Sequence, residues 1–156
     1  MAWAKAHRHW TVEDWRKVLW SDECAVKKDS DPRKIRVFRR QNKQEKYASK
    51  NIRGKSRDGD VSQMMWGCFL SNKLGPIAFI DGIVNKDVYI AILRDQLMPF
   101  FDALYADGIT NIVFQQDNAR PHTATKTKKI LEQLAEEHGF SIMIWPPNSP
   151  DMNPIE

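Results

Sequence analysis

The sequence predicts an α/β domain built on a mixed β-sheet, and two patterns lead to this prediction. In the first half of the chain, short apolar runs separated by turn residues are typical of antiparallel strands. In the second half, segments with helical spacing alternate with short apolar runs, which favours strand–helix–strand units. The 156 residues, 42% of them hydrophobic, suffice for one domain with a core. No apolar run approaches the roughly 20 residues that a membrane span needs.

The chain is expected to begin with a linker that contains a short helix, over residues 1–17. Thr11 is a good helix cap, and acidic residues follow it in the first turn. No apolar segment typical of a secretory signal precedes it. From Lys17 the composition becomes that of a strand, which ends in the adjacent acids Asp22 and Glu23. We therefore place the folded domain at residues 18–156.

Further strands are predicted in the first half of the chain. Residues 33–40 alternate basic and apolar side chains, as in a half-buried strand with one basic face. Residues 41–60 are polar and are expected to form a loop. Residues 61–70 are apolar enough for a central strand, and residues 75–82 are predicted to pair with them across a tight turn at 71–73.

The second half begins with a clear helical pattern. Asn85 or Asp87 caps a helix whose apolar residues recur at helical spacing between Val88 and Leu104. Pro99 falls inside this pattern and is expected to kink or divide the helix. A buried strand then follows at residues 111–116.

The remaining elements complete the order. A second helix is predicted over residues 123–138, with Gly139 as its C-terminal stop. A last strand is predicted at 141–145, and residues 153–156 resemble the capped beginning of another helix. The predicted order begins with antiparallel strands and continues with helix, strand, helix and strand, with flanking helices and a truncated final helix. This is the element order of a ribonuclease H-like fold.

Charge is distributed unevenly along the chain, whose net charge is +4. The segment from Lys27 to Arg57 contains 13 basic and three acidic residues, a charge of +10 that leaves −6 for the remainder. A polyanion-binding face explains this segment, and an exposed strand and loop without a partner explains it equally well. Cys24 and Cys68 have neither metal-ligand spacing nor a disulfide framework, so a reducing compartment is expected, cytosol or nucleus.

Three carboxylates lie at the ends of separate predicted elements. Asp22 ends the first strand, Asp117 follows the strand at 111–116, and Glu156 stands at the predicted start of the final helix. In the proposed sheet the two strands can be neighbours, which would bring these acids into one cleft. Three carboxylates together need cations, and oxygen ligands favour Mg²⁺ or Mn²⁺. Two such ions form the clamp used for in-line phosphoryl displacement.

Each residue of this cluster also has a purely structural explanation. Asp22 could be a surface acid at a strand end, and Asp117 could form an Asx turn that caps the next helix. Glu156 could be the reciprocal partner of Asn153 in a capping box. His122 could be a packing histidine at a helix start. Spacing alone therefore leaves a metal-dependent nuclease as one hypothesis among several.

Three sequence blocks resemble the signature blocks of the mariner-like DDE transposases. They are Trp20–Glu23, Gln116–His122 and Trp145–Glu156, and Met65–Gly67 resembles the third strand of the family. The resemblance runs from about Trp10 to the end of the chain, in the family's order. The closing block is the most specific of the three.

The resemblance implies a two-metal-ion DDE endonuclease. Asp22, Asp117 and Glu156 map onto its catalytic, metal-binding triad, and Asn118 and His122 map onto positions beside it. The implied cofactors are two Mg²⁺ or Mn²⁺ ions, with no small-molecule cofactor. They activate a water that hydrolyses a phosphodiester at the transposon end, and the freed 3′-hydroxyl then attacks target DNA.

The resemblance also implies partners and a location. Transposon-end DNA and target DNA are the expected partners, with no membrane, and a homodimer stays open because family members pair around two transposon ends. We expect a nuclear location.

Phosphate contacts are expected from the basic strand and loop and from the region around the start of the second helix. These residues are Arg33, Arg36, Arg39, Arg40, Lys43, Arg53, Lys55, Arg57, Arg120, Lys126, Lys128 and Lys129. Lysines in the first turns of a helix oppose its dipole, which argues against a purely structural role for the last three.

The chain departs from the family pattern in two ways. The 38 residues between Asp117 and Glu156 are a few more than in the best-known members, so the subfamily is open. Family members also carry helix-turn-helix modules before this region and a helix after the glutamate, and this sequence has neither. We therefore expect Glu156 to fray. We also expect the chain alone to bind Mn²⁺ poorly, with weak or no transposition activity.

Two other functions stay open. One is a catalytically inactive transposase remnant that binds nucleic acid without cleaving it. The other is a different ribonuclease H-like nuclease, such as a ribonuclease H or an integrase.

Overall fold

A five-stranded sheet organises the described part of the chain, which the computed structural model gives as residues 2–27 and 62–156. This part belongs to one compact unit, Met1–Ala25 with Gln63–Glu156, apart from the described ends of a second unit, Val26–Ser62. No helix within it combines the length and apolar character needed to cross a membrane.

The sheet combines an antiparallel hairpin with parallel strands. The strands are β1 (Val18–Lys27), β2 (Ser62–Leu70), β3 (Lys73–Ile80), β4 (Val113–Phe114) and β5 (Ser141–Ile142). Their order across the sheet is β3-β2-β1-β4-β5. β2 and β3 form the predicted hairpin, whereas β4 pairs in parallel with β1 and with β5. The mixed sheet confirms the predicted fold class. The predicted strand at 33–40 and the predicted loop at 41–60 lie outside the described residues.

Two strands are shorter than the sequence pattern predicts. β4 is preceded by Asn111, whose φ of 57° lies in the left-handed region. Because a strand needs extended backbone, pairing begins only after this residue. β5 is followed within a few residues by Pro146 and Pro147, which have no N–H to donate to a strand partner. The central residues of the first predicted strand, Val113 and Phe114, nevertheless pair with the first two residues of the second, Ser141 and Ile142.

Helices flank the sheet in the described part. They are α1 (Ala2–His7), α2 (Val12–Trp15), α3 (Lys86–Ile92), α4 (Met98–Ala106), α5 (Arg120–Thr123) and α6 (Thr125–His138). Thr11 caps α2 as predicted, and a capping box forms because the Asp14 side chain also accepts from the Thr11 backbone N–H.

A π-helical turn, Leu93–Leu97, joins α3 to α4. In this turn the N–H of Met98 donates to the carbonyl of Leu93, five residues earlier. Pro99 follows directly; it has no N–H, and its ring would crowd the carbonyl four residues before it. The wider turn accommodates the proline. The irregularity expected at Pro99 therefore lies in the turn before it.

The boundaries of the last elements differ from the predicted ones. α6 begins at Thr125 because Ala124 has extended backbone, with a ψ of 139°, and separates it from α5. Gly139 ends α6 with a φ of 71°, as predicted. Residues 153–156 form a turn rather than the beginning of a helix. The N–H of Glu156 donates to the carbonyl of Asn153 at 3.2 Å, and the Asn153 side-chain oxygen accepts from the Ile155 N–H at 3.5 Å.

Buried side chains form a core on each face of the sheet, and β1 contributes to both by alternation. Leu19 belongs to the larger core, which includes buried residues of α3, α4 and α6. Val18 and Trp20 belong to a smaller core with Met143 and Trp145. The partly buried tryptophans of the N-terminal segment pack against the smaller core: Trp3, Trp10 and Trp15. The division into a linker over 1–17 and a domain over 18–156 stays a prediction.

Candidate active site

A pair of buried residues, Ser21 and Gln115, holds β1 to the residue that follows β4. β1 continues to Lys27, so Asp22 and Glu23 lie within the strand and not at its end, where they were predicted. The Ser21 hydroxyl donates to the Gln115 carbonyl at 2.8 Å, and the Ser21 N–H donates to the Gln115 side-chain oxygen at 3.3 Å. The Gln115 N–H in turn donates to the Leu19 carbonyl at 2.9 Å. These bonds fix the register of two parallel neighbours, so Asp22 and Asp117 emerge at the same edge of the sheet.

Asp22 lies on β1 on the same face as Val18 and Trp20, and its side chain is partly buried. One carboxylate oxygen, Oδ1, accepts from the Glu23 N–H at 2.7 Å. Burial raises the pKa of Asp22 to about 6, the Glu23 N–H opposes this shift, and the negative charges of Glu156, Glu23 and Asp117 add to it. Asp22 therefore lies close enough to the other acids for their charges to affect its pKa.

Asp117 is half-exposed, and both of its described side-chain contacts fall on Oδ1. That oxygen accepts from the Ala119 N–H at 2.8 Å and lies 2.6 Å from Nδ1 of His122. The His122 contact lowers the pKa of Asp117, burial acts in the opposite direction, and the Ala119 N–H lowers it further. The Asx turn proposed as the structural alternative thus exists, but the Asp117 side chain does not cap α5.

His122 is buried between two carboxylates. Its side chain is 4% exposed, with Nδ1 facing Asp117 and Nε2 lying 3.1 Å from Oε1 of Glu23. Tyr89 lies against the imidazole, with ring centroids 3.9 Å apart. Burial alone lowers the pKa of His122, but the contacts with Asp117 and Glu23 more than offset it and raise the pKa to about 9. His122 therefore does more than pack at a helix start.

Glu23 and Tyr89 also belong to this site, although neither was predicted to do so. Glu23 follows Asp22 directly on a strand, so its side chain projects toward the opposite face, where His122 lies. That alternation is the signal that could have identified Glu23. Tyr89 carries no comparable signal, because a tyrosine on the apolar face of a helix is ordinary core packing.

Glu156 lines a cleft of about 440 Å³ together with Asp117 and Asn118. The other wall is the loop after β5, and Asn118 reaches it by donating from Nδ2 to the Trp145 carbonyl at 2.9 Å. The buried Asn153 donates to the Ser21 carbonyl at 3.3 Å, which ties the segment before Glu156 to β1. Glu156 itself is exposed.

The described residues do not assemble a complete metal site. Across residues 2–27 and 62–156, no group of three or more His, Cys, Asp and Glu side chains lies close enough to hold a metal ion. The charges of Asp117 and Glu156 raise the pKa of Asp22, but the three acids do not converge on one point. Their assignment as a metal-binding triad stays a prediction.

The basic residues expected to contact DNA are exposed where they are described. Arg120, Lys126, Lys128 and Lys129 all lie on the surface of α5 and α6. Lys126 forms an ion pair with Asp87 at 2.7 Å. It therefore has a structural role, which its unfavourable position in the helix dipole had argued against. The other predicted contacts lie outside the described residues: Arg33, Arg36, Arg39, Arg40, Lys43, Arg53, Lys55 and Arg57.

Sequence comparison identifies relatives over nearly the whole chain. Residues 17–156 match the family model described as DDE superfamily endonuclease. The chain is 33% identical over 156 residues to the Tc1 transposase of Caenorhabditis elegans, covering 100% of this chain and 54% of that protein. It is 34% identical over 159 residues to the Tcb2 transposase of Caenorhabditis briggsae, again covering 100% and 54%. The chain thus spans about half the length of these curated relatives.

Structural comparison agrees with the sequence matches. The Mos1 transposase catalytic domain, in a structure with raltegravir and Mg, superposes with a TM-score of 0.63 at 14% identity, covering 98% of this chain and 61% of that one. A Mos1 paired-end complex with Mn gives a TM-score of 0.64 at 16% identity, covering 98% and 42%. This likeness confirms the predicted ribonuclease H-like fold.

Proposed function

This chain belongs to the DDE superfamily of endonucleases, as a homologue of the Tc1/mariner transposase catalytic domain, and we propose that it cleaves and rejoins DNA. The proposed reaction is phosphodiester hydrolysis at a transposon end, followed by attack of the freed 3′-hydroxyl on a phosphodiester of target DNA, which forms a new P–O bond and expels the 3′-oxygen of the cut target strand. One observation carries the proposal: Asp22 lies within β1, Asp117 follows the parallel neighbour β4, and Glu156 lines the same cleft as Asp117.

The chemistry of these acids fits a divalent cation. All three offer carboxylate oxygens, the ligands that Mg²⁺ and Mn²⁺ prefer. Burial and, to a smaller extent, neighbouring negative charges raise the pKa of Asp22, and a bound cation would offset both effects. Solved structures of the homologue Mos1 are described with Mg or with Mn. We infer that Asp22, Asp117 and Glu156 hold two such ions, and that the exposed turn gives Glu156 the freedom to reach them.

The ions would activate water and stabilise the attacking and leaving oxygens, which removes the need for a covalent protein intermediate. The protein's own contribution is position. Asn118 anchors the loop after β5 as one wall of the cleft, and His122 holds one oxygen of Asp117. The exposed Arg120, Lys128 and Lys129 would bind DNA phosphates.

The partners follow from the same relatives. Mos1 forms paired-end complexes with transposon ends, and we propose that this chain also acts on transposon-end and target DNA, as a homodimer, in the nucleus. The basic residues between Arg33 and Arg57 would add phosphate contacts. Because the relatives are described as transposases, transposition is favoured over ribonuclease H or integrase activity.

A second candidate is a transposase remnant that binds DNA without cleaving it. It is supported by the finding that the described carboxylates do not gather into a metal-binding group. The two candidates differ in one respect, since only the first gives metal-dependent strand cleavage.

A nicking assay separates them. A labelled supercoiled plasmid carrying the transposon ends is incubated with the 156-residue chain and Mn²⁺, Mg²⁺ or EDTA. We expect slow nicking with Mn²⁺ that falls to background in EDTA and in the Asp117→Asn variant. The matched control is Asp81→Asn, which changes an exposed acid in the loop after β3 and should leave nicking unchanged. DNA binding without any metal-dependent nicking would favour the remnant.

A further inference from the structure

Glu23 is a partly buried acid directly beside Asp22, a position where a second negative charge is unfavourable. Its side chain is 15% exposed and stands next to Asp22 in the sequence, and its negative charge contributes to the raised pKa of Asp22. A partly buried carboxylate in an already acidic region costs free energy unless a specific partner compensates it. Among the described residues, the partner of Glu23 is His122.

His122 connects Glu23 to Asp117 across the sheet edge. Its Nε2 lies 3.1 Å from Oε1 of Glu23, and its Nδ1 lies 2.6 Å from Oδ1 of Asp117. The ring of Tyr89, tilted by 34° from the imidazole plane, packs against one face of the imidazole. The Tyr89 hydroxyl donates to the Gln116 side-chain oxygen at 2.6 Å. The imidazole is therefore fixed by contacts on both nitrogens and one face.

This connection has a consequence for the two oxygens of Asp117. Oδ1 is engaged twice, by His122 and by the Ala119 N–H. In the part of the chain that the structure describes, no hydrogen bond reaches Oδ2. The carboxylate is thus oriented with one oxygen held by the protein and the other directed away from those contacts.

We propose that Glu23 is a positioning residue of the active site. It holds the His122 ring through Nε2, and the ring holds Oδ1 of Asp117, which leaves Oδ2 oriented for a divalent cation. This inference rests on the proposed function for the role of the cation. Partners that orient a ligand in this way change metal affinity or activity by about 10- to 100-fold when they are removed.

The test compares three variants of the 156-residue chain. Glu23→Ala removes the acceptor for Nε2, whereas Glu23→Gln retains an oxygen acceptor without the charge. Cys24→Ala is the matched control, because Cys24 is the exposed next residue on the same strand. Binding of Mn²⁺ alone is measured by electron paramagnetic resonance of the free ion. We expect Glu23→Ala to weaken it by about 10- to 100-fold, with Glu23→Gln and Cys24→Ala close to wild type.

A second measurement needs neither metal nor activity. In ¹⁵N-histidine-labelled chain, the ring N–H signals of His122 are assigned by their loss in His122→Gln. We expect both to be protected from water in the wild type and in Glu23→Gln, and both to exchange faster in Glu23→Ala. If the wild type neither binds Mn²⁺ nor nicks DNA, the proposed function is wrong. The exchange rates of the His122 signals still show whether Glu23 holds the imidazole ring.

Two results would overturn the inference. One is that Glu23→Ala leaves both the exchange of the His122 ring N–H signals and the Mn²⁺ affinity unchanged. The other is that Glu23→Gln weakens Mn²⁺ binding as much as Glu23→Ala does. If Glu23→Ala does not fold, Glu23→Asp replaces it. Its carboxylate is one methylene short of His122, so it should weaken Mn²⁺ binding relative to Glu23→Gln, and wild-type behaviour there would also contradict the inference.

Discussion

The Nδ1 atom of His122 lies 2.6 Å from Oδ1 of Asp117, and this pair ties the end of β4 to α5. Each partner shifts the other's titration, since the pKa of Asp117 is lowered and the pKa of His122 is raised to about 9. The ionised pair therefore persists from mildly acidic to mildly alkaline pH.

The first prediction concerns stability at alkaline pH. Because the pKa of His122 in the folded chain exceeds its ordinary value of 6.5, its stabilising effect is complete below pH 6.5 and is lost as pH rises through about 9. We expect the free energy of unfolding to fall by about 2 kcal/mol across this window, after allowance for screening at the half-exposed Asp117. Urea unfolding at a series of pH values measures it. Parallel curves for wild type and His122→Gln would contradict the prediction.

The second prediction is that Asp22→Asn stabilises the chain. Burial and neighbouring acids raise the pKa of Asp22 above its ordinary 3.8 to about 6, so ionising it costs stability as pH rises through this range. At neutral pH without metal, we expect the substitution to raise the free energy of unfolding by about 1–2 kcal/mol, discounted because the side chain is only partly buried. Denaturation of the variant beside Asp81→Asn, which should be neutral, gives the comparison. Lower stability of Asp22→Asn would refute the electrostatic explanation.

The third prediction concerns the close approach of β3 to β2 at Gly75. A Cβ on Gly75 would lie 2.4 Å from Sγ of Cys68 and 2.9 Å from the Cys68 carbonyl oxygen. We expect Gly75→Ala to destabilise the chain by about 1–3 kcal/mol through overpacking. Gly67→Ala in the neighbouring strand is the control, since a Cβ there meets nothing within 4 Å. Thermal denaturation should lower the Tm of the first variant only; equal effects would argue against the steric explanation.

The fourth prediction concerns the capping box of α2. Thr11 accepts from the Asp14 N–H at 3.3 Å and donates its own N–H to Oδ2 of Asp14 at 2.8 Å. We expect Thr11→Ala to cost about 1 kcal/mol. The rings of Trp10 and Trp15 are 4.7 Å apart across this helix, so tryptophan fluorescence should report the loosening. The exposed Thr110 provides the control Thr110→Ala, and an identical response from both variants would exclude capping as the cause.

Local patterns in the sequence were sufficient to predict most of the secondary structure and the fold class. The apolar strands, the hairpin and the stop at Gly139 depend on residues close together in the chain, and the structure has them where they were predicted. Boundaries that depend on single backbone angles were less predictable. Asn111 and Ala124 shorten a strand and a helix through φ and ψ values that composition does not specify.

Long-range pairs limited what could be predicted of the site. Asp22 and Asp117 carried a signal because each was predicted to end a strand. This is right for Asp117, whereas β1 continues past Asp22 to Lys27. Glu23 meets His122 from 99 positions away and Lys126 meets Asp87 from 39 positions away, so no local pattern indicates either pair. Their partners follow only from how β1, α3, α5 and α6 pack.

The two hydrogen bonds between Ser21 and Gln115 also limit how these strands can change. They fix which residue of β1 stands opposite which residue of β4, and a slip of one residue would exchange the faces of Asp22 and Glu23. Exchanging one apolar residue for another before Asp22 changes the packing of β1 only slightly. A single inserted or deleted residue between Val18 and Asp22 would move the Asp22 side chain to the opposite face of the sheet. The length of this short segment is therefore under tighter restriction than its composition.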